Sequence, residues 1–174
     1  MYSEIDPKTG RDIWVLPMDG MTDRKPVPFL RSKFDEFQGQ LSPDSHWMAY
    51  TSDESGQREV YVQPFPSGEG KTKISTAGGE QPRWSGDGKE LFFISPEGKM
   101  MAVSMKVTAG TTPFIEPGTA QALFDTRLAR TPLTQFEYDV TADGKRFLLD
   151  TVGGDSASPA VLNVVVNWDT GLKK

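Results

Sequence analysis

Cysteine is missing altogether and histidine occurs once, at His46. Without thiols there is no disulfide, no thiolate metal site and no cysteine nucleophile, and the redox compartment stays open. One imidazole excludes a histidine-rich metal centre. Long apolar runs are also missing: Leu91-Phe92-Phe93-Ile94 and Val164-Val165-Val166 are far too short to cross a bilayer as a helix. The opening residues, Met1-Tyr2-Ser3-Glu4-Ile5-Asp6, do not have the charged-then-apolar order of a signal segment. Nor is there a basic excess. A net charge of −5 and a pI near 4.9 oppose a phosphate backbone, so nucleic acid is not an expected partner.

What is abundant is turn chemistry. The 174 residues include 17 Gly and 13 Pro, spread along the chain, against 36% apolar and 10% aromatic residues, a composition that folds around a core with many short connections. The organising stretch runs from Glu80 to Ser95. Asp87-Gly88 separates a segment ending in Trp84 from Leu91-Phe92-Phe93-Ile94, and Asp-Gly tolerates the positive φ of a tight hairpin. The same pattern recurs upstream, where Leu41-Ser42-Pro43-Asp44-Ser45 leads into Trp47-Met48-Ala49-Tyr50, and downstream, where Val140-Thr141-Ala142-Asp143-Gly144 leads into Phe147-Leu148-Leu149. Ser42, Ser85 and Thr141 stand 43 and 56 residues apart. The first spacing is that of a four-stranded propeller blade, and the loop Val107 to Thr119 accounts for the longer second one.

Taken in order, Met1 to Leu16 predicts the end of one strand, a turn at Asp6-Pro7-Lys8-Thr9-Gly10 and a strand Asp12 to Leu16. A turn follows at Asp19-Gly20, then an outer strand at Pro26 to Leu30, where edge prolines are tolerated. Blade two is predicted as Phe37–Ser42, Trp47–Ser52, Glu59–Gln63 and Thr72–Ser75. Blade three is Gln81–Trp84, Leu91–Ile94, Met100–Met105 and Ala122–Phe124, with Lys106 to Gln121 as a long connection. Blade four is Tyr138–Val140, Arg146–Asp150, a loop Gly153 to Pro159, and Val161–Val166. The fold class is therefore all-β: one antiparallel β-propeller domain over 1–174, of about three and a half four-stranded blades with approximate bounds 1–33, 34–76, 77–125 and 126–168. Position 1 falls inside a blade, so the chain is expected to be a piece of a longer one, or to be completed by a second copy.

Ser42-Pro43-Asp44, Gln81-Pro82-Arg83-Trp84-Ser85 with Asp87-Gly88-Lys89, and Glu59-Val60-Tyr61-Val62 with Pro64-Phe65-Pro66 resemble the TolB-like, WD-related β-propeller repeat, over about residues 2 to 168. The ending Leu162-Asn163-Val164-Val165 with Asn167-Trp168 is similar to the C-terminal propeller of bacterial serine/threonine kinases. That resemblance implies a bacterial signalling context, a periplasmic or extracytoplasmic setting and a protein-binding role. The chain departs from the motif at Asp44-Ser45, Ser85-Gly86 and Thr141-Ala142. It contains no glycine-rich loop ahead of a strand lysine, no His-Arg-Asp and no Asp-Phe-Gly.

The candidate chemistry is correspondingly narrow. Turn aspartates bond their own backbone two residues on, His46 has no nucleophile partner, and Gly78-Gly79 and Gly153-Gly154 precede no helix that would make them phosphate loops. Trp47, Trp84 and Trp168 are expected to fill the space between sheets. One constellation remains. In register, the inner strands place Gln38, Gln81 and Glu137 in one column and Gln40, Arg83 and Asp139 in the next, with Phe37, Glu80 and Phe136 and then Leu41, Trp84 and Val140 at the alternate positions. Period-two alternation puts both polar columns on one face, a rim for a peptide or small ligand. The sequence thus predicts a non-catalytic binding or sensor module for protein or peptide, without cofactor or metal. The alternative is an accessory propeller that positions or gates the substrate of a larger enzyme, a kinase or peptidase.

Overall fold

The computed structural model describes residues 1–18, 25–108, 114–129, 135–151 and 162–166. Every regular element among them is a β-strand, and every pairing is antiparallel. The turn expected at Asp19-Gly20, the loop Gly153 to Pro159 with its glycine pair, Trp168 and the C-terminal tail lie outside the described residues.

Four sheets follow one another along the chain. The first holds β1 (Tyr2–Asp6), β2 (Gly10–Val15) and β3 (Val27–Leu30). The second runs β4 (Glu36–Leu41), β5 (Trp47–Ser52), β6 (Glu59–Pro64) and a short β7 (Thr72–Lys73). The third contains β8 (Glu80–Trp84), β9 (Glu90–Ile94), β10 (Lys99–Thr108), β11 (Phe114–Pro117) and β12 (Gln121–Asp125). The fourth has β13 (Tyr138–Val140), β14 (Arg146–Asp150) and β15 (Leu162–Val166).

The central strands show why the sheets stack. On β5, Trp47 and Ala49 join a core with Leu91, Phe93 and Val103 of the third sheet, whereas Met48 and Tyr50 join Ile13 of the first. On β9, Leu91 and Phe93 face the second sheet, while Phe92 and Ile94 pack with Phe147 and Leu149 of the fourth. A strand buried on both faces loses the polar half of its alternation and reads as a continuous apolar run, which is what Trp47-Met48-Ala49-Tyr50 and Leu91-Phe92-Phe93-Ile94 are. Between the third and fourth sheets the Phe92 and Phe147 rings meet edge to face at 5.0 Å, a favoured quadrupole arrangement.

One predicted feature is corrected. The connection Lys106 to Gln121 is not one open loop: β10 runs on to Thr108, and β11 pairs back on that extension, Val107 opposite Ile115. Ile115 is buried in the core between the second and third sheets, which holds the ribbon in place. The repeated Asp-Gly makes the hairpin expected of it, with the positive φ on the glycine. Gly88 N–H donates to the Ser85 carbonyl at 3.0 Å and Gly88 takes the positive φ, 70°, while the Asp87 carboxylate accepts from Ser85 Oγ and from Lys89 N–H. Ser85 Oγ in turn accepts from Glu90 N–H at 3.0 Å. Ser42 with Asp44, and Thr141 with Asp143, make the same clasp. At Asp87 and Asp143 the carboxyl pKa is held below the ordinary range, chiefly by the Lys89 N–H and by the Thr141 hydroxyl respectively. The departure at Ser85-Gly86 has a physical cause as well. Gly86 N–H donates to the Ala142 carbonyl of the next hairpin at 2.8 Å, and a Cβ there would lie 2.6 Å from that oxygen. Proline could do neither.

The links between sheets are tied by buried carboxylates. Glu59 is fully buried at the head of β6, where it accepts from Ser75 Oγ, from Gly78 N–H at 3.0 Å and from Gln57 Nε2 at 2.8 Å, and pairs with Lys73 Nζ at 2.9 Å. Burial by itself would raise its pKa. The hydrogen bonds from Ser75, Lys73 and Gln57 outweigh that and hold it below the usual value. Asp12 occupies the corresponding place at the head of β2, since Asp12-Ile13-Trp14-Val15 aligns with Glu59-Val60-Tyr61-Val62. Asp12 is one methylene shorter. It accepts from Thr9 Oγ1 at 2.8 Å, but its Oδ1 is buried without a hydrogen-bond partner. Ser32, the counterpart of Ser75, bonds instead to Glu36, which stands where the next link has Gly79. At that glycine a Cβ would meet Phe93 at 2.8 Å and Ser75 at 2.9 Å, so no side chain fits there.

Glu36 is only 3% exposed, and its Oε2 is likewise buried and unpartnered. Desolvation, opposed by the Ser32 hydroxyl and reinforced by Asp12 and Glu54, pushes its pKa up to about 7. A carboxyl that binds its proton more tightly folded than unfolded stabilises the fold at low pH, and that stability is lost as pH rises through the folded pKa. Between pH 5 and pH 8 this group alone should cost on the order of 3 kcal/mol of unfolding free energy. The carboxyls held low act below this window. Urea midpoints at the two pH values should show the wild type weaker at pH 8 and Glu36→Gln nearly flat; equal slopes in both proteins would contradict this assignment.

Candidate functional site

The innermost strands of three successive sheets are β4, β8 and β13. On β4, the register slips between Phe37 and Gln40, and on β8 between Glu80 and Arg83, so each strand carries one extra residue at this point. Gln38 and Gln81 take positive φ, 56° and 60°, an uncommon backbone for residues other than glycine. These bulges change the expected geometry. Strict alternation would present Gln38 beside Gln40 and Gln81 beside Arg83; the bulge turns the first of each pair inward.

The predicted six-residue rim therefore divides into two layers. Gln38, Gln81 and Glu137 are buried, 5%, 3% and 6% exposed, and bond from sheet to sheet. Gln38 Oε1 accepts from Gln81 N–H at 2.9 Å and from Thr51 Oγ1 at 2.9 Å, and Gln38 Nε2 donates to the Gln135 carbonyl at 3.4 Å. Gln81 Nε2 donates to Glu137 Oε2 at 3.0 Å, and Gln81 Oε1 accepts from Glu137 N–H at 2.8 Å. The Tyr138 hydroxyl closes the layer by donating to the Gln81 carbonyl at 2.8 Å; full burial raises its pKa well above the usual phenol value. This layer is a clasp, with its hydrogen-bonding capacity turned on itself.

The second layer is different. Gln40 and Arg83 are half-buried and Asp139 is exposed. Arg83 Nη1 donates to Gln40 Oε1 over a long 3.4 Å, and the guanidinium carbon stands 4.0 Å from the centre of the Phe136 ring, a cation over an aromatic face. Arg83 Nε is buried and makes no hydrogen bond; Asp139 Oδ1 lies 3.8 Å from it, within ion-pair range but too far for a hydrogen bond. The Arg83 side chain keeps 23% exposure. The result is a pre-stacked guanidinium at the surface whose Nε–H is unbonded, next to an exposed carboxylate and a primary amide. Such a fork matches a carboxylate in two parallel hydrogen bonds.

The remaining sequence candidates are structural or peripheral. Trp47 is buried in the core, and Trp84 is half-buried beside it with its Nε1–H on the Gln40 carbonyl at 3.2 Å. His46 is exposed on the Ser42 hairpin. In Gly78-Gly79 both N–H groups are taken, by Glu59 and by the Arg58 carbonyl, so the pair has no donor for an anion. Sequence reasoning placed Phe136 only as an apolar alternate and did not identify it as the platform under Arg83. Its signal was its position one residue before Glu137, matching Phe37 before Gln38.

No family model and no curated protein matches the chain. Among solved structures, an oligogalacturonate lyase from Vibrio parahaemolyticus superposes with a TM-score of 0.49 at 12% identity, over 86% of this chain and 36% of its own. TolB from Acinetobacter baumannii superposes with a TM-score of 0.46 at 18% identity, over 99% of this chain and 50% of its own. The chain thus spans no more than half the length of either structure. At these scores the architecture rests on its own geometry, four antiparallel sheets stacked in chain order.

Proposed function

We propose that the chain is a non-catalytic binding module, a β-propeller segment of about three and a half blades, which holds a protein or peptide at the inner-strand face through Arg83. The observation that carries this reading is the state of the guanidinium: stacked on Phe136, weakly bonded to Gln40, with a buried Nε–H that has no acceptor. A buried donor left unbonded costs about 1–3 kcal/mol, and an incoming carboxylate would recover that cost. The ligand feature recognised is therefore an acidic side chain or a free C-terminus. Asp139 holds the approach until it is displaced. Titrating a panel of acidic and free-carboxylate peptides, with the Trp84 indole signal as reporter, should give at least about tenfold weaker binding for Arg83→Ala. Undiminished binding by that variant would refute the assignment.

The partners also include whatever covers the first sheet. Met1, Tyr2, Ile5, Leu16, Met18 and Val27 are all exposed large apolar residues in or beside that sheet, more than any other sheet carries among the described residues. Exposed apolar surface of this kind favours association. A second copy of the chain, or the rest of a longer parent chain, would extend the stack there. Light scattering on the purified chain should give twice the single-chain mass, falling to one on Ile5→Glu; a single-chain mass at high concentration would exclude the second copy.

A further inference from the structure

A second concavity lies away from the Arg83 layer and shares no residue with it. It encloses about 400 Å³ between the Ser42 hairpin, the turn after β6 and the overhanging end of β10. Trp47, Phe65 and Val107 supply its apolar surface, and Asp44, His46 and Glu69 its polar groups. The walls are fixed by backbone. Phe65 N–H donates to the His46 carbonyl at 2.8 Å, Gly68 N–H returns to the Pro64 carbonyl at 3.0 Å, and Phe65 packs on Phe29 with ring centres 5.2 Å apart. The β10 extension brings Val107 over the opening, 47% exposed despite being apolar. That ribbon is held by Ile115 in the core, so its reach is not a loop fluctuation.

Among the described residues, the permanent charges lining this cavity are the two carboxylates Asp44 and Glu69. Asp44 is kept ionised: burial opposes this, but the Ser42 hydroxyl, the His46 N–H and the His46 ring together lower its pKa. The Ser42 hydroxyl and the His46 N–H both bond to its Oδ1. Glu69 is exposed on the facing turn. No lysine or arginine lines the cavity, although the chain has 19 of them. A recess with apolar walls and two carboxylates at its mouth favours a ligand that is apolar in body and cationic at one end.

We propose that this cavity binds an organic cation, an ammonium or guanidinium carried on an apolar or aromatic body, whose body sits on Trp47, Phe65 and Val107 and whose charge lies between Asp44 and Glu69. Two sources share this chemistry: a free arylalkylamine, and a lysine or arginine beside an apolar residue in a peptide. The proposal does not rest on the Arg83 reading.

The test is a titration of the intact chain followed by the ¹⁵N–¹H signals of the Trp47 indole and Phe65 amide. The probes are phenethylammonium, its neutral isostere 2-phenylethanol, and the capped dipeptide amides Lys-Leu and Arg-Leu. The cations should shift both signals at millimolar concentration or below, at least about tenfold more tightly than 2-phenylethanol, and weaken with added salt. A better dipeptide than phenethylammonium identifies a peptide source, and the reverse identifies a small amine; either supports the site. Glu69→Lys, a change on an exposed turn, should lose the preference for cations, while Arg83→Ala should leave it intact. Equal binding of cation and alcohol, no shift at Trp47 and Phe65, or cation binding unchanged in Glu69→Lys would overturn the proposal.

Discussion

The structure depends on sheets that are covered on both faces. Among the described residues no β-ladder joins one sheet to the next, so beyond the Gly86 to Ala142 backbone bond their relative placement is decided by side chains between them: Trp47, Leu91 and Phe93 on one side of the third sheet, Phe92 and Phe147 on the other. Apolar packing of this kind is strong and almost directionless. What fixes register is the polar layer at the inner end, where Gln81 receives from Glu137, donates to it, and gives its own N–H to Gln38. The bulges at Gln38 and Gln81 make that possible by turning a side-chain amide inward at a place where an alternating strand would face it out.

The same device explains the candidate site. Once the first polar residue of each inner strand is committed to the clasp, the second is pushed toward the surface, and Arg83 is left with a ring beneath it and few acceptors around it. The face proposed to hold a ligand would then follow from how the sheets are locked, and recognition there would rest on rigid strands rather than on loops.

Much of this was legible in the chain. Ser42, Ser85 and Thr141 set offsets of 43 and 56 residues, and the bonds Gln38 to Gln81 and Gln81 to Glu137 recur at those same offsets. The strands Trp47–Ser52, Tyr138–Val140 and Arg146–Asp150 fall where the apolar runs and turns place them. What could not be read was local and non-periodic. Nothing in Gln38 or Gln81 announces a positive φ, since glutamine has no special preference for it. The strand Phe114–Pro117 was hidden by the turn residues around it and by the bias toward loops of Pro113 before it and Pro117 at its end. The carboxylate pair Asp12 and Glu36 depends on a methylene missing at one position and a side chain present at another, a difference visible only once Glu59 and Gly79 are seen in place.

The clasp can be weighed directly by a double-mutant cycle on Gln81 and Glu137, each changed to Ala singly and together, with unfolding free energies from urea denaturation. The cycle isolates the Gln81 Nε2–H to Glu137 Oε2 bond, since the Glu137 N–H survives the change to Ala, and this bond to a carboxylate predicts a coupling of about 1–3 kcal/mol. Additive losses, within about 0.3–0.5 kcal/mol of zero coupling, would contradict the account, because sheets so placed would then owe nothing to the layer said to align them.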